Sequence, residues 1–232
     1  MHGLTGTHVM ISCRILALAA VAAVALSAPA RAEDNWTALY WGFNGGYAVG
    51  DSDWDFGGGA TTNPDLEGEL YGLHAGYMHQ FDSIVLGFET SYDWANLDGA
   101  TACPNPLASC QNSLNQIATA GLRLGIAADT ALIYATGGYA YASVESRVYL
   151  AGPGDEAADE WHGGWYAGAG IDYLLNRDVM LGVEYLYVDL EDQDHGLTQI
   201  NTGAFVETAN IDPQNHVIRI RLAAKVVGLF DD

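Results

Sequence analysis

The sequence predicts an all-β fold: an eight-stranded antiparallel transmembrane up-and-down β-barrel. Three observations predict it. Apolar residues alternate with small or polar ones at a period of two, in segments about as long as the ~9–11 residues that a tilted strand needs to cross a bilayer. The connections between segments alternate short and long, as in barrels with short periplasmic turns and long external loops. Beyond residue 32 no stretch approaches the ~18 consecutive apolar residues of a spanning helix. A membrane-resident chain of this kind must therefore close its strands into a barrel, the other architecture that satisfies every backbone polar group in lipid.

The first 32 residues stand apart. Arg14 precedes the apolar run Ile15 to Leu26, and Ala30-Arg31-Ala32 supplies a small-x-small cleavage site, so residues 1–32 read as a secretory signal peptide and 33–232 as the barrel domain. The formal charge of the chain is −21 and becomes more negative once Arg14 and Arg31 leave. A polyanion needs a basic footprint, so nucleic acid is excluded as a partner.

The strands follow in order. From Trp36 to Val49, Leu39, Trp41, Phe43, Tyr47 and Val49 share one face, with Ala38, Gly42, Asn44, Gly46 and Ala48 on the other. The acidic, Gly-rich stretch 50–67 reads as a loop. Glu69 to Phe81 sets Tyr71, Leu73, Ala75 and Tyr77 against Gly72, His74 and Gly76. After the Asp82-Ser83 turn, Ile84 to Ala95 sets Leu86, Phe88, Tyr92 and Trp94 against Gly87, Glu89, Ser91 and Asp93. A loop over 96–112 leads to the Gln116 to Val144 hairpin, which turns at Ala128-Asp129-Thr130. Its first arm alternates Ala118, Ala120, Leu122, Leu124 and Ile126 with Thr119, Gly121, Arg123 and Gly125; its second, 131–144, is apolar or Gly on both faces and has no legible register. A loop over 145–160 precedes Trp161 to Leu174, with Trp165, Ala167, Ala169, Ile171 and Tyr173 opposite Tyr166, Gly168, Gly170 and Asp172. Val179 to Asp189 sets Leu181, Val183, Tyr185 and Tyr187 against Gly182 and Glu184. After a loop over 190–214, the last strand alternates His216, Ile218, Ile220 and Leu222 with Val217, Arg219, Arg221 and Lys225.

Charged residues on the faces assigned inward are the candidate site. Arg123, Arg219, Arg221 and Lys225 share the lumen with Glu89, Asp93, Asp172 and Glu184, where charges shielded from water must pair. A structural ion network filling the barrel is the plain reading, with a gated channel and a catalytic site as the alternatives. Eight strands leave an interior just wide enough for side chains to fill. Outward Trp41, Trp94, Trp165 and Tyr187 are candidates for interfacial girdles, or for the core of a soluble sandwich.

Other chemistry finds little support. Cys103 and Cys110, close together among prolines in an exported chain, point to a disulfide that staples one loop. Two cysteines without further ligands do not complete a metal tetrahedron. Asp51, Asp53 and Asp55 suggest calcium, but Phe56 and Thr62 stand where the EF-hand loop needs Gly and Glu. A solvated acidic stretch, with at most diffuse divalent cations bridging lipopolysaccharide phosphates, is the reading left. His74 points inward as a polar lumen residue rather than a haem or metal ligand. The chain has no Gly-x-Ser-x-Gly elbow, no His-Glu-x-x-His and no phosphate loop, and Ser83 has no neighbouring His, so no catalytic residue, cofactor site or metal site is assigned and no enzyme activity is expected.

Six motifs in chain order resemble one family. These are the opening Trp36 to Tyr47, Leu86-Gly87-Phe88-Glu89, Gly121-Leu122-Arg123-Leu124-Gly125, Tyr134 to Tyr141 (YATGGYAY), Gly164 to Gly170 (GWYAGAG) and Val183 to Asp189 (VEYLYVD). Together they resemble the outer membrane immunogenic proteins of alphaproteobacteria, relatives of the OmpA transmembrane domain. The resemblance implies residence in the bacterial outer membrane, contact with membrane lipid and lipopolysaccharide, and insertion by the outer-membrane assembly machinery. It also implies a structural or surface role, with narrow porins, haem binders and host-contact antigens among the members; the residues quoted do not select among these. Two departures stand out. The family's terminal N-Y-K-F is replaced after Lys225 by VVGLFDD, and the first Arg of the fourth-strand motif is Gly121. The reading from a different class is a soluble periplasmic lipocalin-like barrel that binds a small apolar ligand, with its polar faces outward.

Overall fold

The computed structural model describes residues 36–226 except 106 and 151–154. The expected signal peptide and the segment that follows Val226 lie outside the described residues. Ten strands form: β1 (Ala38–Asp55), β2 (Thr61–Thr62), β3 (Asp65–Phe81), β4 (Ile84–Ala102), β5 (Ala108–Ala128), β6 (Ala131–Leu150), β7 (Glu156–Leu174), β8 (Val179–Leu190), β9 (Gln193–Gln199) and β10 (Phe205–Val226). The eight long strands pair antiparallel in the order β1-β3-β4-β5-β6-β7-β8-β10, and β10 returns to β1 from Leu39↔Val226 to Asp55↔Asn210. The ring is thus closed, which leaves its long strands without a free edge. β2 and β9 are short strands added at its outer end, β2 on β1 and β9 on β10 and β7.

Two of the tight turns have a local cause. Asp82 and Asp129 each sit at φ 52°, the left-handed conformation that a short Asp side chain tolerates better than most. Each is followed by a single residue before the next strand begins, which sends the chain straight back.

The segments 50–67, 96–112, 145–160 and 190–214, expected as loops, are largely strand. Each spanning strand except β8 continues past the expected boundary, so β4 runs to Ala102 and β10 starts at Phe205. The reason lies in the faces. Within the lower part of the ring, the residues that point out are apolar and those that point in are polar: Leu122 is 69% exposed while the adjacent Arg123 is 2% exposed. In the upper part the polarity reverses. Asp53 and Asp55 point to water while the alternating Ser52 and Trp54 are buried, and Trp54, Leu197, Ala209 and Ile211 pack with the Cys103–Cys110 disulfide into an apolar core. A strand with an acidic outer face and few inward hydrophobes resembles a loop in composition, although its ladder is unbroken. β-bulges interrupt the register at Trp94/Leu97 and Leu114/Gln116, where the two polarity regimes meet.

This reversal defines the spanning segments. They lie between the tight turns and a ring of outward Tyr47, Tyr71, Trp94, Tyr141, Trp165 and Tyr187. The second arm of the Gln116 to Val144 hairpin now has a register: Leu132, Tyr134, Thr136, Ala140 and Ala142 face in, and Ala135, Tyr139 and Tyr141 face out.

Candidate functional site

Three arginines occupy the middle of the lumen, each placed there by strand parity. Arg123 on β5 directs one Nη to Glu89 Oε2 at 3.2 Å and the other to Asp172 Oδ2 at 2.9 Å. Arg219 on β10 contacts Glu184 Oε2 at 2.6 Å and Asp93 Oδ2 at 3.0 Å. Two positions on, Arg221 joins Glu184 Oε1 at 2.6 Å and also Glu89. All seven side chains are buried. The network therefore ties β4, β5, β7, β8 and β10 together across the lumen, and Glu89 and Glu184 are its bridges.

Neutral groups complete the network. Tyr40 donates to Glu89 at 2.7 Å and Tyr134 donates to Glu184 at 2.9 Å. The Arg123 guanidinium lies 3.6 Å from the centre of the Tyr134 ring, close enough for a cation–π contribution. Ser91 bonds Asp93, and Asn44 donates to Asp93 while its oxygen meets His74 Nδ1 at 3.2 Å. Such networks gain from a low surrounding dielectric where their members are satisfied; Arg123 Nε, Arg221 Nε and His74 Nε2 are buried without a hydrogen-bond partner. Glycines make the space: a Cβ at Gly76 would stand 2.5 Å from Tyr40 Oη, and one at Gly170 would collide with Tyr134 Oη.

Seven of the eight expected lumen charges are brought together. Lys225 is not in this cluster. It is half-buried near the periplasmic end, with Nζ 5.2 Å from the Trp36 ring, because the lumen at that level is closed by Trp36, Met78, Leu132, Leu174 and Met180; a long stem there can carry its charge toward solvent. Tyr40 and Tyr134 were absent from the sequence-derived site. Tyr40 shares the inward parity of Ala38 and Gly42, which is the signal that would have found it; Tyr134 lies in the arm without a legible register. A second apolar layer containing Leu70, Leu114, Ile117, Tyr166 and Val188 caps the network on the outer side.

Above the spanning segments a histidine pair joins two strands. His162 on β7 and His195 on β9 are both buried, their Nε2 atoms 2.7 Å apart, and His162 Nδ1 meets the Glu191 carbonyl at 3.0 Å. Burial lowers the pKa of both, that of His195 to about 4 with a further contribution from His162. Cys103 and Cys110 are disulfide-bonded at the tip of the β4–β5 hairpin. Among the described residues no group of three His, Cys, Asp or Glu is arranged to hold a metal ion.

A closed antiparallel ring with apolar side chains outward and paired charges inward defines an integral outer-membrane β-barrel. A soluble lipocalin-like barrel would show the opposite polarity in this zone. Residues 17–221 match the family described as outer membrane protein beta-barrel domain, and the chain belongs to it. It is 31% identical over 210 residues to a 31 kDa outer-membrane immunogenic protein of Brucella melitensis, which covers 82% of this chain and 84% of that one. A 22 kDa outer membrane protein of Rhizobium leguminosarum bv. viciae is 26% identical over 183 residues, or 78% and 75% of the two chains. Among solved structures, OprG of Pseudomonas aeruginosa superposes with a TM-score of 0.51 at 18% identity, covering 83% of this chain and 98% of its own. The outer membrane protease OmpT of Escherichia coli gives 0.53 at 10% identity, covering 86% and 99%. The two structural likenesses concern the fold alone. The protein resides in the bacterial outer membrane.

Proposed function

We propose that the protein is a closed, non-catalytic outer-membrane scaffold that carries a tall β-structured extension on the cell surface. One observation carries this reading: the lumen at membrane depth is crossed by the Arg123, Arg219 and Arg221 network and bounded by an apolar layer on each side. An eight-strand interior has room for side chains and little else. Each lumen carboxylate is engaged by a guanidinium group, so none is left as a free base for chemistry. The outward aromatic surface suits membrane lipid, with lipopolysaccharide around the outer rim and the outer-membrane assembly machinery as the route of insertion. The Brucella relative is named for immunogenicity, which agrees with surface display of such an extension.

Planar-bilayer recording of the purified, lipid-inserted protein at neutral pH tests the reading. A baseline without steady discrete openings is expected alongside an authentic porin that conducts. Sustained openings would restore the narrow porin.

A further inference from the structure

At the outer end of the extension lies a cavity of about 400 Å³, within the ~300–1,000 Å³ range of small-molecule sites. Phe56, Ala108, Val148 and Cys103 form apolar walls, and the buried Glu156, the exposed Glu207 and Asn105 line the same space. Glu156 opens β7, where its backbone pairs with Val148 on β6 and Gln199 on β9. The residue is 6% exposed and its Oε2 has no hydrogen-bond partner.

We propose that this cavity binds a small organic ammonium ion, whose apolar body rests on Phe56, Ala108 and Val148 and whose N–H groups donate to Glu156 and Glu207. A buried carboxylate oxygen without a partner is costly, and Phe56, Ala108 and Val148 offer Glu156 Oε2 no donor. An ammonium group supplies both the opposite charge and up to three donors, while its hydrocarbon part matches surfaces that a hydrated ion would not. A bare divalent cation fits less well, since calcium seeks six to eight oxygens and no three metal-ligating side chains converge among the described residues. The chain's formal charge of −21 raises the local concentration of cations around the rim. Burial, together with Glu207, raises the Glu156 pKa, so a proton competes with the ligand and binding weakens as the pH falls.

The site lies outside the spanning segments and stands or falls independently of whether the lumen conducts. Calorimetric titration of the full protein in lipid nanodiscs with phenethylammonium tests it, with phenethyl alcohol as the neutral counterpart and calcium as the metal. The amine is expected to bind saturably at one site and at least about tenfold more tightly than the alcohol, as befits a charge-assisted hydrogen bond. Glu156→Gln should weaken it at least about tenfold and Glu207→Gln by a smaller factor, both variants keeping the heat-dependent electrophoretic mobility of a folded barrel. Equal affinity for the alcohol, an unchanged Kd in the folded Glu156→Gln protein, no saturable binding of the amine, or calcium binding that Glu156→Gln abolishes while the amine does not bind would each overturn the proposal.

Discussion

At the scale of single residues, the lumen is governed by the cost of an unpaired charge in a low-dielectric space. Arg123 answers both Glu89 and Asp172, so Arg123→Leu strands two carboxylates at once. Truncating one partner of a buried ion pair costs about 3–5 kcal/mol. Urea unfolding of lipid-inserted protein, followed by tryptophan fluorescence, should show a loss of that order, and an unchanged midpoint would mean that the network does not hold the ring. Alternation put Arg123, Arg219 and Arg221 on one face of their strands, and the membrane reading made that face inward, because a charge in a lipid-facing row would be conspicuous. Who pairs with whom was not legible. Arg219 and Asp93 are 126 positions apart and meet only because the sheet closes, which no local pattern encodes. Lys225 has the same parity as the three arginines, but its height in the barrel sets its surroundings and parity carries no height.

At the scale of elements, the spanning parts of the strands were readable and their extensions were not. Asp51, Asp53 and Asp55, whose spacing suggested an ion-binding loop, fall on the outer side of β1 with Ser52 and Trp54 behind them. The period of two is the signature of a strand, but its acidic outer face and nearby glycines match loop composition as well. Two small devices fasten these extensions. The disulfide closes a short loop and is worth only ~2.5 kcal/mol on the chain-entropy estimate, so Cys103→Ser should leave the ring's heat resistance in place and raise proteolysis between positions 103 and 110; a collapse of the whole barrel would contradict that local role. The His162–His195 contact holds β9 against β7. Both pKa values are depressed in the folded state, so the stabilisation is complete above the ordinary histidine value of 6.5 and is lost as the pH falls toward about 4; the nearby acids Glu160 and Asp192 temper this for His162. Protection of the β9 amides, measured against their intrinsic exchange rates at each pH, should therefore fall between pH 6.5 and 4. In His195→Leu that fall should disappear, and its persistence would place the sensor elsewhere.

At the scale of the whole molecule, two regimes of one barrel meet near the bulges at Trp94/Leu97 and Leu114/Gln116. Below them the hydrophobic effect acts outward, into lipid, and ions fill the interior; above them it acts inward, and carboxylates face water. The same closed ladder serves both because strand parity does not change when the solvent does. The fold class and the order of the spanning strands follow from local alternation, whereas ring closure rests on β1 meeting β10, the longest sequence separation in the sheet.

Closure is the claim on which the rest depends, and the electrophoretic mobility of the detergent-extracted protein in SDS, with and without boiling, tests it most directly. A closed ring pinned from within should resist SDS at room temperature and run as a compact band that shifts on boiling. Identical mobility in the two samples would mean that the strands do not form a stable closed ring, and the account of the lumen would fall with it.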